Sequence, residues 1–192
     1  MIENLKPLYN SMLEPVAKIC IKLNIHPNII TITGFIISLF SAYFCATNRW
    51  YTAATLILIG SLMDGLDGLI ARKTQKKTHF GAILDSCIDR LTEAVWLIGI
   101  LLCYIIYEPP YYKAAAVIIC IAIVCSFMVS YVRARCEGEG IECKKGFFQR
   151  PERIIFIIVC LFLGHYYMLW GLVILSVISA ITFVQRLIIS KK

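Results

Sequence analysis

At 192 residues, 59% of them hydrophobic, and with a mean hydropathy of +0.77, the chain carries more apolar surface than a soluble domain of this size can bury. The excess must face lipid. The net charge of +7 is no nucleic-acid footprint, because the Lys and Arg residues flank apolar stretches in the pattern of membrane spans. Nine cysteines fall mostly inside those stretches (Cys45, Cys103, Cys120, Cys125 and Cys160). Cys136 and Cys143 are expected in a loop, and with no C-x-x-C pair a zinc site is not predicted.

In chain order, Leu5, Leu8, Met12, Val16, Ile19 and Leu23 recur every three or four residues, with Lys6, Lys18 and Lys22 between them. This predicts an amphipathic helix within 1–24, lying in the membrane interface or packed on the bundle. No short apolar core followed by small residues marks a cleavable signal. Six spans follow, at Ile29–Ala46, Tyr51–Ala71, Ala82–Ile106, Ala114–Val132, Glu152–Gly164 and Tyr167–Ile189, most of them near the roughly 20 residues a bilayer requires. Pro27, Pro109-Pro110, Pro151 and Gly164-His165-Tyr166-Tyr167 punctuate them. The expected fold is an all-α integral membrane protein: one domain over 1–192, with a juxtamembrane helix in 1–24 and six transmembrane helices in 25–192.

The cations are one-sided. Lys6, Lys18, Lys22, Arg72, Lys73, Lys76, Lys77, Arg133, Arg135, Lys144, Lys145, Arg150, Arg153, Arg186, Lys191 and Lys192 fall on one side, against Arg49 and Lys113 on the other. The asymmetry places both termini in the cytoplasm of a cell plasma membrane protein. Trp50, Tyr51, Tyr107, Tyr111, Tyr112, Tyr166 and Tyr167 are expected to form the outer aromatic belt.

Around the second loop, cytoplasmic on this reading, stand Asp64-Gly65-Leu66-Asp67-Gly68-Leu69-Ile70-Ala71-Arg72 and Gly81-Ala82-Ile83-Leu84-Asp85-Ser86-Cys87-Ile88-Asp89. On helices, Asp64, Asp67, Gly68 and Ala71 share one face, as do Gly81, Asp85 and Asp89. Four carboxylates directed into one space need cations, and hard divalent metals match their oxygens. A structural ion pair with Arg72 or Arg90 would account for one of them but not for four. Glu93, one turn past Asp89, is read as a supporting group or a partner for Arg90. A transporter would put such acids near mid-bilayer and in broken helices. Here they sit at span ends, and a non-catalytic scaffold would not need them.

The pattern D-x2-D-G-x2-A-R-x8-G-x3-D-x3-D, met here by Asp64, Asp67, Gly68, Ala71, Arg72, Gly81, Asp85 and Asp89, resembles the signature of the CDP-alcohol phosphatidyltransferases. The resemblance implies two divalent ions, Mg2+ or Mn2+, on Asp64, Asp67, Asp85 and Asp89, with Asp89 as general base. It implies a CDP-activated lipid bound by Asn28, Thr31, Gly68, Ala71, Arg72 and Gly81, although Asn28 after Pro27 would also serve as a plain helix cap. It further implies a homodimer, for which Gly34, Ser38 and Ser41 would permit close helix packing.

The acceptor alcohol is less legible. Tyr131-Val132-Arg133-Ala134-Arg135-Cys136-Glu137-Gly138, Lys144-Lys145-Gly146 and Gln149-Arg150-Pro151-Glu152-Arg153 are read as one basic loop, joined by Arg186. Clustered guanidinium groups suit a phosphate ester, though the positive-inside rule alone would also place cations here. These runs resemble the phosphatidylinositol-phosphate synthases and their archaeal counterparts. That likeness implies inositol 1-phosphate as acceptor, its phosphate bound by Arg133, Arg153 and Arg186 with help from Arg135 and Arg150. A lysine is common in that group where Arg133 stands. Glycerol 3-phosphate is the alternative, and CDP-diacylglycerol or CDP-archaeol would serve equally as donor.

Overall fold

Apolar runs of this length pair their backbone groups internally as helices, because lipid offers no other partner. The computed structural model describes residues 6–76, 78–141 and 148–190. Leu5, Lys77, Cys143, Lys144, Lys145, Gly146, Lys191 and Lys192, together with the side chains of Lys6, Leu8 and Tyr166, lie outside the described residues. Among those described, the chain forms seven helices and no strand: α1 Lys6–Lys22, α2 Pro27–Ala46, α3 Trp50–Lys73, α4 His79–Tyr107, α5 Tyr112–Gly138, α6 Arg150–Leu163 and α7 His165–Ile189.

Helices α2, α3, α4, α5 and α7 are long and apolar enough to cross a membrane. The fold is therefore all-helical and membrane-embedded, with five such helices rather than the expected six. At 14 residues and ~1.5 Å per residue, α6 extends only ~21 Å. The principal contacts follow the order α2–α3–α6–α7–α5–α4 and return to α2, closing a ring of six helices, with α1 docked outside on α3. Trp96, Leu97, Ile100, Ile119, Leu161 and Leu172 fill the core, while Ile36, Phe40, Leu102, Val117, Val124, Ile155 and Val177 point outward. Outward apolar side chains on this scale match a lipid solvent. Trp50, expected in the aromatic belt, is instead buried in the core.

Three local differences from the sequence reading matter. Helix α5 runs on to Gly138, so Arg133, Arg135 and Cys136 are helical rather than in a loop. Ion pairs one turn apart, Arg133–Glu137 and Arg135–Glu139, support this extension. The break between α6 and α7 is Gly164 alone, whose φ of 86° and ψ of −176° fall where only glycine fits well. Finally, Gly34, Ser38 and Ser41 are used within the protomer. Gly34 faces Gly60 and Met63 of α3, and the Ser41 hydroxyl donates to the Ala53 carbonyl.

Helix α1 has two apolar faces. Leu13 and Ala17 pack with Tyr9 against Leu66, Leu69 and Ile70 of α3, whereas Met12, Val16, Ile19 and Leu23 point away from the bundle. The outward stripe is the one visible as periodicity, and small Ala17 hides the packed one. Glu14 bonds Lys73 at 2.5 Å, and that hydrogen bond and charge hold the Glu14 carboxyl below its ordinary range. The Tyr9 ring lies over Gly65, where a Cβ would come within 2.7 Å of Cζ. Burial and the nearby Asp64 and Asp67 raise the Tyr9 phenol above its ordinary value.

At the α2–α4 crossing, a Cβ on Gly99 would lie 2.5 Å from the Ala42 carbonyl oxygen and 2.7 Å from its Cα. Backbone cannot step aside as a side chain can, so Gly99→Ala should cost about 1–3 kcal/mol. Thermal unfolding in detergent should show a lower midpoint; an unchanged midpoint would place the crossing further apart.

Candidate active site at one end of the bundle

Two caps set the site. The His26 ring nitrogen Nδ1 accepts from the Asn28 amide, so His26, not Asn28, caps α2 and the Asn28 side chain is released for other contacts. The Thr78 hydroxyl accepts from the Gly81 amide at 2.9 Å and starts α4 about two turns before Asp85. Helices α3 and α4 then bring one oxygen each of Asp64, Asp85 and Asp89 within 4.8 Å of one another. Asp67 stands apart from that trio. It is buried, and its Oδ2 accepts a 2.5 Å hydrogen bond from Thr31.

The flank towards α2 holds the other expected residues of the donor side. Asn28 Oδ1 lies 3.2 Å from where a Cβ on Gly81 would stand, and Arg72 Nη1 lies 3.4 Å from the same point on Gly68. Each glycine thus leaves space that a side chain would narrow. Ala71 is half-buried beside them and Arg72 is exposed.

The flank towards α6 is cationic. A Gln149–Glu152 capping box starts α6, with Glu152 accepting from the Gln149 amide at 2.8 Å. This fixes Arg150 in the first turn. Its Nη1 lies 3.0 Å from Asp64 Oδ2 and 2.7 Å from Asp89 Oδ1. One turn on, buried Arg153 meets buried Glu93 through two parallel bonds of 2.7 and 2.8 Å, and its Nη1 donates to the Phe148 carbonyl. Glu93 is therefore the partner of Arg153, not of Arg90. Arg90 donates instead to the carbonyls of Ser86 and Ser130, because its own turn points it at α5.

A cavity of about 280 Å³ opens beside Asp89. Arg133, Arg150, Arg153 and Arg186 line it, and Arg90, Glu93 and Glu137 complete its charged wall. Buried Arg186 reaches it from α7, bonded to the Val129 carbonyl at 2.7 Å. Arg135 does not line the cavity. It lies on the exposed side of α5, paired with Glu139. Five arginines against three carboxylates leave the space net positive, which suits a phosphate monoester dianion. The spacing of Glu93 one turn from Asp89 places it beside the site but does not select Arg153, 60 residues away in the chain, over Arg90.

Such a site, with carboxylates on two adjacent helices, glycine-lined space on one flank and an arginine-lined cavity on the other, is built for moving a phosphoryl group between two anionic molecules. The family model for CDP-alcohol phosphatidyltransferases matches residues 24–184, and the chain belongs to that family. It is 34% identical to an archaetidylinositol phosphate synthase of Pyrococcus horikoshii, over 100% of this chain and 97% of the other. It is 30% identical to a phosphatidylinositol phosphate synthase of Mycobacterium tuberculosis, over 90% and 82%. The crystal structure of the mycobacterial synthase with CDP-DAG bound superposes with a TM-score of 0.85 at 29% identity, covering 94% of each chain. A second structure of that synthase, with manganese and citrate, also gives 0.85 at 29% identity, covering 94% of this chain and 89% of that one.

Proposed function

We propose that this enzyme transfers the phospholipid moiety of a CDP-activated lipid to inositol 1-phosphate, releasing CMP. The observation that carries the acceptor assignment is the convergence of Arg133, Arg150, Arg153 and Arg186 on one cavity beside Asp89. The names of the relatives support it. CDP-diacylglycerol and CDP-archaeol present the same pyrophosphate, so the reading covers both.

The residues fit a divalent centre: three carboxylate oxygens within 4.8 Å are a hard donor set with excess negative charge. Asp64, Asp67, Asp85 and Asp89 would hold two ions, Mg2+ or Mn2+. When bound, they would polarise the phosphoryl group and offset charge on the leaving CMP. Thr31 holds Asp67 in position. Asn28, Gly68, Ala71, Arg72 and Gly81 seat the nucleotide and pyrophosphate, with the two glycines giving close access to backbone. Arg133, Arg153 and Arg186 grip the acceptor phosphate, and Arg150 assists. Arg135 has no part in this grip. Asp89 takes the proton from the acceptor hydroxyl. The new oxygen–phosphorus bond forms at the lipid-linked phosphorus as the bond to CMP breaks, and the proton then passes from Asp89 to solvent.

In this reading residues 1–192 are one domain with six crossings, α6 making its crossing in a locally thinned bilayer. The site and both termini face the cytoplasm of the plasma membrane, as the one-sided Lys and Arg residues support. Helix α1 lies in that interface with Met12, Val16, Ile19 and Leu23 in lipid. The enzyme acts as a homodimer whose interface lies outside the Gly34–Ser41 stripe, which is already used within the protomer.

An acceptor panel tests the reading: CMP release with CDP-lipid and Mg2+, comparing inositol 1-phosphate, glycerol 3-phosphate, free inositol and serine. Inositol 1-phosphate should give at least about a hundredfold higher kcat/KM than free inositol, since a buried arginine pocket lacking its anion is poorly satisfied. Preference for glycerol 3-phosphate would keep the chemistry and replace the acceptor.

A further inference from the structure

We propose that Arg150 is an exchangeable counter-ion of the carboxylate cluster. A divalent cation entering among Asp64, Asp85 and Asp89 displaces its guanidinium, which turns into the adjoining cavity and meets the acceptor phosphate. The proposal rests on the acceptor reading above and adds an order to it: the metal prepares the acceptor site.

The contrast between two neighbouring arginines carries the argument. Arg153 engages Glu93 through two parallel bonds, from Nε and Nη2, the geometry of a permanent pair. Arg150 instead places a single nitrogen, Nη1, against both Asp64 and Asp89. Its Nε is buried with no hydrogen-bond acceptor, and Asp89 Oδ1, though 2.7 Å from Nη1, lacks hydrogen-bond geometry. Buried groups left this way call for an explanation, and a pairing made to be broken supplies one.

Two further features agree. Arg150 occupies the first turn of α6, where the helix dipole disfavours a cation. The carboxylates hold it there, and nothing in the helix does. It also already lines the cavity shared with Arg133, Arg153 and Arg186. Rotation of its side chain is enough to exchange a carboxylate for an anion in that space, with α6 in place.

Competition for the same oxygens has a thermodynamic signature. Mn2+ binding by the full-length protein in lipid nanodiscs, read from the electron paramagnetic resonance of free Mn2+ without substrate, should be about tenfold tighter in Arg150→Gln. Equal or weaker binding overturns the exchange. Calorimetric titration with inositol 1-phosphate should show affinity rising about fivefold or more with Mn2+ in the wild type and no such rise in Arg150→Gln. A rise of the same size in the variant overturns the second half of the proposal. Should Arg150→Gln fail to fold, Arg150→Lys keeps the charge. Its strongly hydrated ammonium is a poorer partner in a buried cluster, so Mn2+ should still bind more tightly than in the wild type; unchanged binding overturns the exchange. Wild-type protein that binds Mn2+ but no inositol 1-phosphate overturns the acceptor assignment and the turn towards it. The Mn2+ titration judges the counter-ion role independently of that.

Discussion

Asp89→Asn should lower CMP release by about a thousandfold, the scale on which a positioned general base acts, in a protein that remains folded. The amide keeps the shape of the carboxylate, while Asp64 retains its own 3.0 Å contact with the Arg150 guanidinium. What is lost is the basic oxygen beside the cavity and one anionic donor of the cluster. Steady-state CMP release at saturating Mg2+, paired with thermal unfolding in detergent, checks both halves. A well-folded variant within tenfold of the wild type would move the base elsewhere.

The second large effect concerns folding as much as chemistry. Glu93→Ala strands the guanidinium of Arg153, which is only 1% exposed. Breaking a buried pair from one side costs about 3–5 kcal/mol. The unfolding midpoint should fall sharply, and the KM for the acceptor should rise, because Arg153 loses the partner that aims it. The double variant Glu93→Leu with Arg153→Met should recover most of the stability and none of the acceptor affinity. Recovery of both would show that the pair is scaffolding with no share in acceptor binding.

The helices were legible because long apolar runs leave few choices of backbone, and Pro27, Pro109-Pro110, Pro151 and Gly164 fell at several of their ends. The departures have local causes. Helix α5 overshoots its apolar run because charged residues one turn apart, Arg133–Glu137 and Arg135–Glu139, sustain helix beyond it. Periodicity at the N-terminus picked out the outward stripe of α1 and passed over Leu13 and Ala17, which pack it on α3. In the site, spacing along α3 and α4 anticipated the meeting of Asp64, Asp85 and Asp89. It did not anticipate the hydrogen bond from Thr31 to Asp67, since that depends on how α2 crosses α3. The arginines were visible as a group. Their division into a permanent pair at Arg153, a shared contact at Arg150 and an outward pair at Arg135 depends on which carboxylate each turn of α5 and α6 happens to face.

The proposed reaction joins a phosphate-bearing inositol to lipid. Its most direct test is the mass of the lipid formed when purified protein, CDP-diacylglycerol, Mg2+ and inositol 1-phosphate are combined. The product should be a lipid that carries both the diacylglycerol phosphate and the intact inositol phosphate, formed in step with CMP. CMP appearing with phosphatidic acid as the lipid product, and inositol 1-phosphate unconsumed, would contradict it.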